Sequence, residues 1–502
     1  MTREDAWVSP KPQVKLDYNV TQRIVSAIYG SKYQFLANTA LQRIADTNYY
    51  YNYYDLSGQY WDMPHSLGYK PLVMPVNLCR RLTRAHVAWM FNDAPDIECP
   101  PVQIDSPEDM ETDGYKPSDG QRVSNDLASS REKLLYSTWT DNSFEEKLLE
   151  GGRDYFIGGT VALKLRYLKE YGIRLDFAPA QEVFPVPNED VPDIFDSITF
   201  ASFYDNDKTI WMQTWRMSNG RCLLDEGYYD LELRPTEMKY SAEETGLDFI
   251  PVLIFPREKL TGDVYGTSYL KDLIPLWDQY SRMLSDASDS LRFNLFAVTV
   301  LLNAAPDADK NLKISPGEVW NIGGDDLDVK KLESSFQYNN ALADFLNRLE
   351  NLIHMIGDVP KITPEDVKGF GQITGIGLKM LYSDLVASTQ ADWRVWKSRL
   401  VKTNEYILKM AETFKVEGYE DINGNYSNRI IPHLPLPENE AEKVQIEAQK
   451  LSSSLQSVQG ALEELGEKNP LYKIAQIVTE RERFVPTGKK ISIKEQDVIS
   501  GA

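Results

Sequence analysis

The spacing of apolar residues changes abruptly near residue 265 of this 502-residue chain. Between residues 160 and 256 apolar and polar residues alternate with a period of two, which is typical of antiparallel strands. Two earlier stretches, at about 20–44 and 77–92, have the spacing of helices. We therefore predict one α+β unit over residues 1–265, with an antiparallel meander that closes at 249–256.

Beyond that point the apolar residues step by four and three, as in a heptad repeat. The first stripe predicts a helix over about 267–296 with a polar opposite face, and Pro275 predicts a kink or restart near its beginning. A similar stripe predicts a second helix over about 338–356, and residues 299–336 between them have short strand and turn patterns. Two helices with a small tip have little core of their own, so neighbouring copies are expected to cover their stripes. The stripes consist of Leu273, Trp277, Tyr280, Leu284, Ala287 and Leu291 in the first helix, and Leu342, Phe345, Leu349, Leu352 and Ile356 in the second.

A glycine-containing loop and a very long helix come next. The helix is predicted over about 376–414, and at 1.5 Å per residue it would span roughly 58 Å. A strand-like stretch at 429–434 precedes a helix predicted over about 438–465, and Asn469-Pro470 opens another that ends near Arg483.

The charge balance restricts the possible partners. The chain has 54 basic and 75 acidic side chains, a net charge of −21. This argues against holding DNA or an anionic membrane on a broad basic surface, but it is compatible with DNA that slides past. The longest mostly apolar run, residues 296–302, is too short to span a bilayer, so no membrane contact is expected.

Signatures of enzymes and cofactor sites are missing from the sequence. HExxH, GxSxG and Walker A motifs are absent, and the three cysteines are too widely spaced for a CxxC metal site. We therefore expect no catalytic residues, no bound metal and no cofactor. One enzymatic alternative remains, a carboxylate-based hydrolase that stacks sugars on the tyrosine-rich stretch 49–61 and on Trp211 and Trp215. Another oligomeric scaffold or adaptor is a further alternative.

Four segments, taken in order, carry a resemblance to a known family. They are the helix opening at Asn77-Leu78-Cys79-Arg80-Arg81 and ending before Pro95, the run Ile250 to Pro256, the stretch 312–324, and the stretch from Val359-Pro360-Lys361 to Leu381-Tyr382. From about residue 40 to 465 the chain resembles the portal (head–tail connector) proteins of tailed double-stranded DNA bacteriophages.

The resemblance implies a portal fold and a ring of about twelve subunits at one capsid vertex. Double-stranded DNA would pass through the channel of the ring during packaging into the procapsid and during ejection. The implied partners are the terminase large subunit, the major capsid and scaffolding proteins and a head-completion or tail adaptor protein. The implied locations are the virion and, during assembly, the host cytoplasm. The implied parts are an α+β wing (1–265), stem helices (266–298 and 337–356), a clip (299–336), a tunnel loop with a long wing helix (357–435), and a helical crown with a C-terminal tail (436–502).

The resemblance also suggests which residues face the DNA and the partners. From Gly266 to Gly357 there are eight basic and 13 acidic side chains, so the stem and clip would repel phosphate. Lysines of the tunnel loop would form positive rings at the constriction, unless they are ordinary solvated side chains. In the clip a tryptophan beside acidic residues would dock the packaging motor, unless it packs between neighbouring clips. The predicted DNA-facing residues are Lys361, Lys368 and Gln372, the hinge residues are Gly369, Gly371 and Gly375, and the docking residues are Trp320, Asp325 and Asp326.

Overall fold

The computed structural model describes most of the chain in twelve pieces. These are residues 18–30, 34–56, 72–101, 118–191, 194–204, 208–295, 298–302, 328–332, 339–361, 380–435, 440–465 and 477. The chain divides into two compact units. Unit 1 contains residues 1–47, 85–268 and 362–502, and unit 2 contains residues 48–84 and 269–361.

The first helical stretch is two helices rather than one, α1 (Tyr18–Tyr29) and α2 (Gln34–Asp55). Gly30 explains the break, because it has a φ of +58° and its N–H donates to Ser26 O at 2.9 Å. The helix predicted at 77–92 is confirmed as α3 (Leu78–Phe91).

The strands of unit 1 form antiparallel sheets. The predicted meander is confirmed as a five-stranded sheet in the order β4-β5-β6-β7-β8. Its strands are β4 (Val183–Pro187), β5 (Phe195–Tyr204), β6 (Thr209–Ser218), β7 (Arg221–Tyr229) and β8 (Pro235–Glu244). A smaller pair joins β1 (Asp96–Glu98) to β12 (Arg429–Ile431), where a strand was predicted.

The prediction that residues 249–256 close this meander is wrong. They contain β9 (Val252–Pro256), which pairs instead with β2 (Thr160–Leu168) in a three-stranded sheet of order β3-β2-β9, where β3 is Gly172–Pro179. All five residues of β9 are buried. A continuous apolar strand suits a position covered on both faces and does not suit the half-exposed meander.

The core of unit 1 forms around the long helix α8 (Ser383–Phe414). The Trp396 ring is fully buried and lies 4.8 Å from Phe91 and 4.7 Å from Phe255, measured between ring centroids. The other helices of this core are α4 (Asp119–Asp141) and α5 (Phe144–Gly158). A separate apolar cluster packs α1 and α2 on strands β4, β5 and β6.

Unit 2 is built on two helices that pack against each other, α6 (Leu273–Leu295) and α7 (Asn339–Ile356). Pro275 is the third residue of α6, where its missing N–H is not needed, so it marks the helix start rather than a kink. A hairpin of β10 (Val298–Leu302) and β11 (Asp328–Leu332) lies between the helices in sequence. The strand-like residues 319–322 lie outside the described residues.

The C-terminal helix predicted over 438–465 is interrupted. It consists of α9 (Glu440–Ser452) and α10 (Val458–Glu464), separated by a serine-rich turn in which Ser454 has a φ of +53°. The helix predicted to end near Arg483 lies outside the described residues, apart from residue 477. Within the part of the chain that is described, no helix has the length and hydropathy of a membrane span.

Candidate functional site

A row of residues four positions apart runs along helix α6 and is buried inside unit 2. Its five members are Leu273, Trp277, Ser281, Ser285 and Asp289. The C-terminal part of this row is polar, although polar residues of a helix ordinarily face water. Something must therefore cover Ser281, Ser285 and Asp289 within the same unit.

The cover is an extended segment before α3, here called the strap, residues 72–76. The N–H of Leu72 donates to Asp289 Oδ2 and the N–H of Met74 donates to Ser285 Oγ, both at 3.0 Å. The Trp277 indole N–H donates to Val76 O. Two extended residues advance about 6.6 Å and four helical residues about 6 Å, so Leu72 and Met74 are spaced to match Asp289 and Ser285. The strap thus runs antiparallel to α6 and donates hydrogen bonds to Ser285 and Asp289, whereas the buried Ser281 hydroxyl has no hydrogen-bond partner among the described residues.

The outer side of helix α7 is apolar and open in the single chain. The predicted stripe is divided, because Leu349 is buried whereas Phe345, Leu352 and Ile356 are at least 40% exposed, and Met355 beside them is 65% exposed. The buried side follows Leu349 and Ile353 toward the interior of unit 2. We call Phe345, Leu352, Met355 and Ile356 the helix patch.

The strap itself exposes a second apolar surface. Leu72, Val73 and Met74 are each more than a third exposed, with Val73 at 45%. We call these three residues the strap patch. Contiguous exposed apolar surface is uncommon on monomeric proteins and is typical of contact with another molecule.

A hydrogen-bonded turn ends helix α7 and is here called the capping turn, residues 357–361. Gly357 N–H donates to Ile353 O at 2.9 Å and Val359 N–H donates to His354 O at 3.1 Å. From outside the turn, the Tyr269 hydroxyl donates to Gly357 O at 2.7 Å. The turn is therefore tied both to α7 and to the segment before α6.

His354 lies under the capping turn and is 4% exposed. Its Nδ1 is 3.0 Å from Val359 O. Burial lowers the pKa of His354 below its ordinary value, and Arg81 and Lys361 lower this pKa further. The hydrogen bond to Val359 and the charge of Glu350 oppose that shift. His354 was not predicted as a functional residue, because an isolated histidine in an apolar helix has no diagnostic spacing.

Lys361 is the one predicted DNA-facing residue that falls within the described chain. Its Nζ lies 2.8 Å from Glu350 Oε2, and both side chains are about a quarter exposed. The ion pair neutralises much of the positive charge that we predicted for a DNA-facing ring. The other predicted site residues lie outside the described residues: Lys368, Gln372, Gly369, Gly371, Gly375, Trp320, Asp325 and Asp326.

In unit 1 the described chain resumes at Met380, just before α8. Tyr382 immediately precedes the helix, and its ring stacks on Trp89 with centroids 4.9 Å apart and ring planes 18° apart. This stack fixes the beginning of the long helix to α3.

Four of the aromatic residues proposed for sugar stacking are buried, whereas Tyr49 is 45% exposed and Tyr60 and Trp61 lie outside the described residues. Trp211 and Trp215 are each 3% exposed in the five-stranded sheet, and Tyr53 and Tyr54 of the tyrosine-rich stretch are also buried. These four buried side chains are therefore packed in the interior and are not available for sugar stacking. Among the described residues no group of three His, Cys, Asp or Glu side chains is placed to hold a metal ion.

Comparison with known proteins gives a family match over most of the chain. A family model described as phage portal protein, SPP1 Gp6-like, matches residues 40–486. None of the curated proteins compared with the chain matches it significantly. Among solved structures, the neck of an empty GTA particle computed with C6 symmetry is 12% identical, and the match covers 79% of this chain and 95% of that chain. Its TM-score of 0.37 is too low to support an argument.

Proposed function

Since the chain belongs to the family of SPP1 Gp6-like phage portal proteins, we propose that it forms the ring-shaped channel for double-stranded DNA at one vertex of a viral capsid. Membership in this family gives the chain a structural role as a portal protein. The packaging and ejection of DNA, the ring of about twelve copies and the virion location are our proposals. In this role the chain has no chemistry of its own, and the ATPase that drives packaging is a separate protein.

The observation that carries the proposal is the pair of apolar patches left open on unit 2. A closed ring needs a head-to-tail contact, in which one surface of a copy meets a different surface of the next copy. The helix patch and the strap patch are two different surfaces that both lack a cover in the single chain. We therefore place the helix patch of one copy against the strap patch of its neighbour.

The first experiment tests whether the helix patch is a subunit contact. Met355→Asp would bury an unpaired charge in the ring, whereas in the free chain this side chain is mostly in water. We expect that variant to keep its helical circular dichroism but to sediment as a monomer. Asn347→Asp adds the same charge at another exposed position of α7 and should still form rings. Rings of Met355→Asp as stable as those of the parent would refute this interface.

A mixing experiment tests the head-to-tail arrangement. Val73→Asp should also prevent ring formation, because it places a charge in the strap patch. Each variant retains the patch that the other has lost, so one intact contact remains possible between the two kinds of copy. A mixture should therefore give dimers by sedimentation but no rings. If the mixture remains monomeric while the parent forms rings, the two patches do not pair with each other.

The tunnel loop is our proposed contact with the DNA. Lys368 and Gln372 would touch the phosphate backbone weakly, and Gly369, Gly371 and Gly375 would let the loop move. Lys361 would contribute less, because Glu350 neutralises it. Deletion of residues 368–372 should leave ring assembly intact but impair packaging or retention of full-length DNA. Normal packaging by the deletion variant would exclude the loop from this role.

The clip, residues 299–336, is our proposed docking site for the terminase large subunit and later for the head-completion or tail adaptor protein. Trp320, Asp325 and Asp326 would supply the contact. Trp320→Ala should weaken terminase binding in a pull-down without changing the ring. A loss of rings instead would mean that Trp320 packs between neighbouring clips. Capsid and scaffolding proteins would bind elsewhere on the ring, during assembly in the host cytoplasm.

A further inference from the structure

The capping turn depends on one buried imidazole. His354 Nδ1 lies 3.0 Å from Val359 O, and a carbonyl oxygen can only accept, so Nδ1 carries the proton. His354 Nε2 is also buried, and none of the described residues offers it a hydrogen-bond partner. In this arrangement the ring is neutral and donates a single hydrogen bond, to the turn.

The charged groups around His354 disfavour a second proton. Arg81 on helix α3 and Lys361 in the turn are positive, and among the described residues Glu350 on α7 is a negative group that acts on the imidazole. Glu350 is already paired with Lys361 at 2.8 Å. The hydroxyls of Tyr280 on α6, near that ion pair, and of Tyr269, which donates to Gly357 O, are neutral. A proton on Nε2 would therefore place a buried positive charge near the positive side chains of Arg81 and Lys361. Its N–H would have no hydrogen-bond acceptor among the described residues.

We propose that His354 is a positioning residue whose neutral form holds the capping turn in place and whose protonation releases it. The turn is the start of the tunnel loop, so acidification would loosen the base of that loop; this consequence alone rests on the proposed function. The direction of the pH dependence follows from the direction of the pKa shift. Because the pKa of His354 in the folded chain lies below its ordinary value of 6.5, its stabilising effect is present above that value and is lost as the pH falls through the lower, folded value.

Hydrogen exchange on the full-length chain tests the proposal. The Gly357 and Val359 amides report the turn, because they donate to Ile353 O and His354 O. After correction for the intrinsic exchange rate, their protection should fall by up to about tenfold per pH unit between the ordinary pKa of 6.5 and the lower, folded pKa, and it should level off below the folded pKa. The Leu165 amide, which donates to Pro251 O in unit 1, is the internal control and should not follow them.

Two substitutions separate titration from packing. In His354→Asn the amide Nδ2 can replace Nδ1–H as a donor but cannot titrate, so protection of the turn should persist at pH 5. In His354→Leu the donor is lost, so protection should be low at every pH. Constant protection in the parent between pH 7.5 and 5, or an acid loss in His354→Asn equal to that of the parent, would overturn the proposal.

A third variant keeps the test informative if substitutions at His354 unfold the chain. Arg81 has an exposed side chain and lowers the pKa of His354. Arg81→Met should therefore raise the folded pKa, so that the acid loss of protection becomes smaller and its midpoint lies at a higher pH. A purely structural role of His354 would not produce that shift, and an unmoved midpoint would contradict the proposal. These measurements use no DNA, so they fail or succeed independently of the proposed role in packaging.

Discussion

Two glycines with nearly equal backbone angles offer a test of packing at the level of single residues. Gly159 has a φ of +69° and Gly172 a φ of +70°, so alanine at either position bears a left-handed strain of about 1–2 kcal/mol. An added Cβ would lie 2.4 Å from Thr267 C at Gly159, but it would meet nothing within 4 Å at Gly172. We expect Gly159→Ala to lower the thermal midpoint clearly more than Gly172→Ala, since overpacking adds about 1–3 kcal/mol. Equal midpoints would show that the backbone at Thr267 moves aside.

The spacing of residues predicted which side of a helix or strand is buried better than it predicted which segment covers that side. The alternation in β6 placed Trp211, Gln213 and Trp215 on one face, and all three are buried. The burial of Ser285 and Asp289 was not predicted, because their cover is a distant segment with no periodic signal. The four-residue spacing of these two with Leu273 and Trp277 was the available clue. The predicted tunnel-loop and clip residues, Lys361 included, remain predictions.

At the scale of elements, the attachment of the strap to helix α6 can be tested through one carboxylate. Asp289→Ala removes the acceptor of the Leu72 N–H, and a hydrogen bond to a charged group contributes about 1.5–3 kcal/mol. Hydrogen exchange at Leu72 should therefore accelerate by about tenfold or more, whereas Asp289→Asn keeps an acceptor oxygen and should be milder. Asp286→Ala, at an exposed position of the same helix, should change nothing. Unchanged exchange in Asp289→Ala would mean that side-chain packing holds the strap.

The elements that sequence analysis located best are those whose period persists over many residues. The helix predicted at 338–356 differs from α7 by one residue at its start. Strand β11, Asp328–Leu332, was not predicted, because three of its five residues are charged and only pairing with β10 makes it a strand. The break between α9 and α10 was also missed, since serine weakens a helix without the clear signal of glycine or proline.

For the whole molecule, the order of segments was more informative than any single motif. The four stretches quoted from the sequence indicated the portal family, and the family match over residues 40–486 confirms it. The apolar stripes correctly indicated that the helices of unit 2 retain open apolar surface. The second stripe contained three of the four residues of the helix patch, Phe345, Leu352 and Ile356, whereas Met355 and the strap patch were not predicted.

The net charge makes a prediction about the assembled ring. Each copy carries −21, so bringing about twelve copies together is opposed by repulsion that is strongest at low ionic strength. The screening length falls from about 30 Å at 0.01 M salt to about 10 Å at 0.1 M, whereas contacts between apolar patches need no charge. We therefore expect the ring fraction measured by sedimentation velocity to rise when NaCl is increased from about 0.02 M to about 0.5 M. Met355→Asp should remain monomeric at both concentrations, because salt does not remove the desolvation cost of a charge buried in the contact. Dissociation of parent rings with increasing salt would show that ion pairs between subunits hold the ring, since these are the contacts that salt weakens.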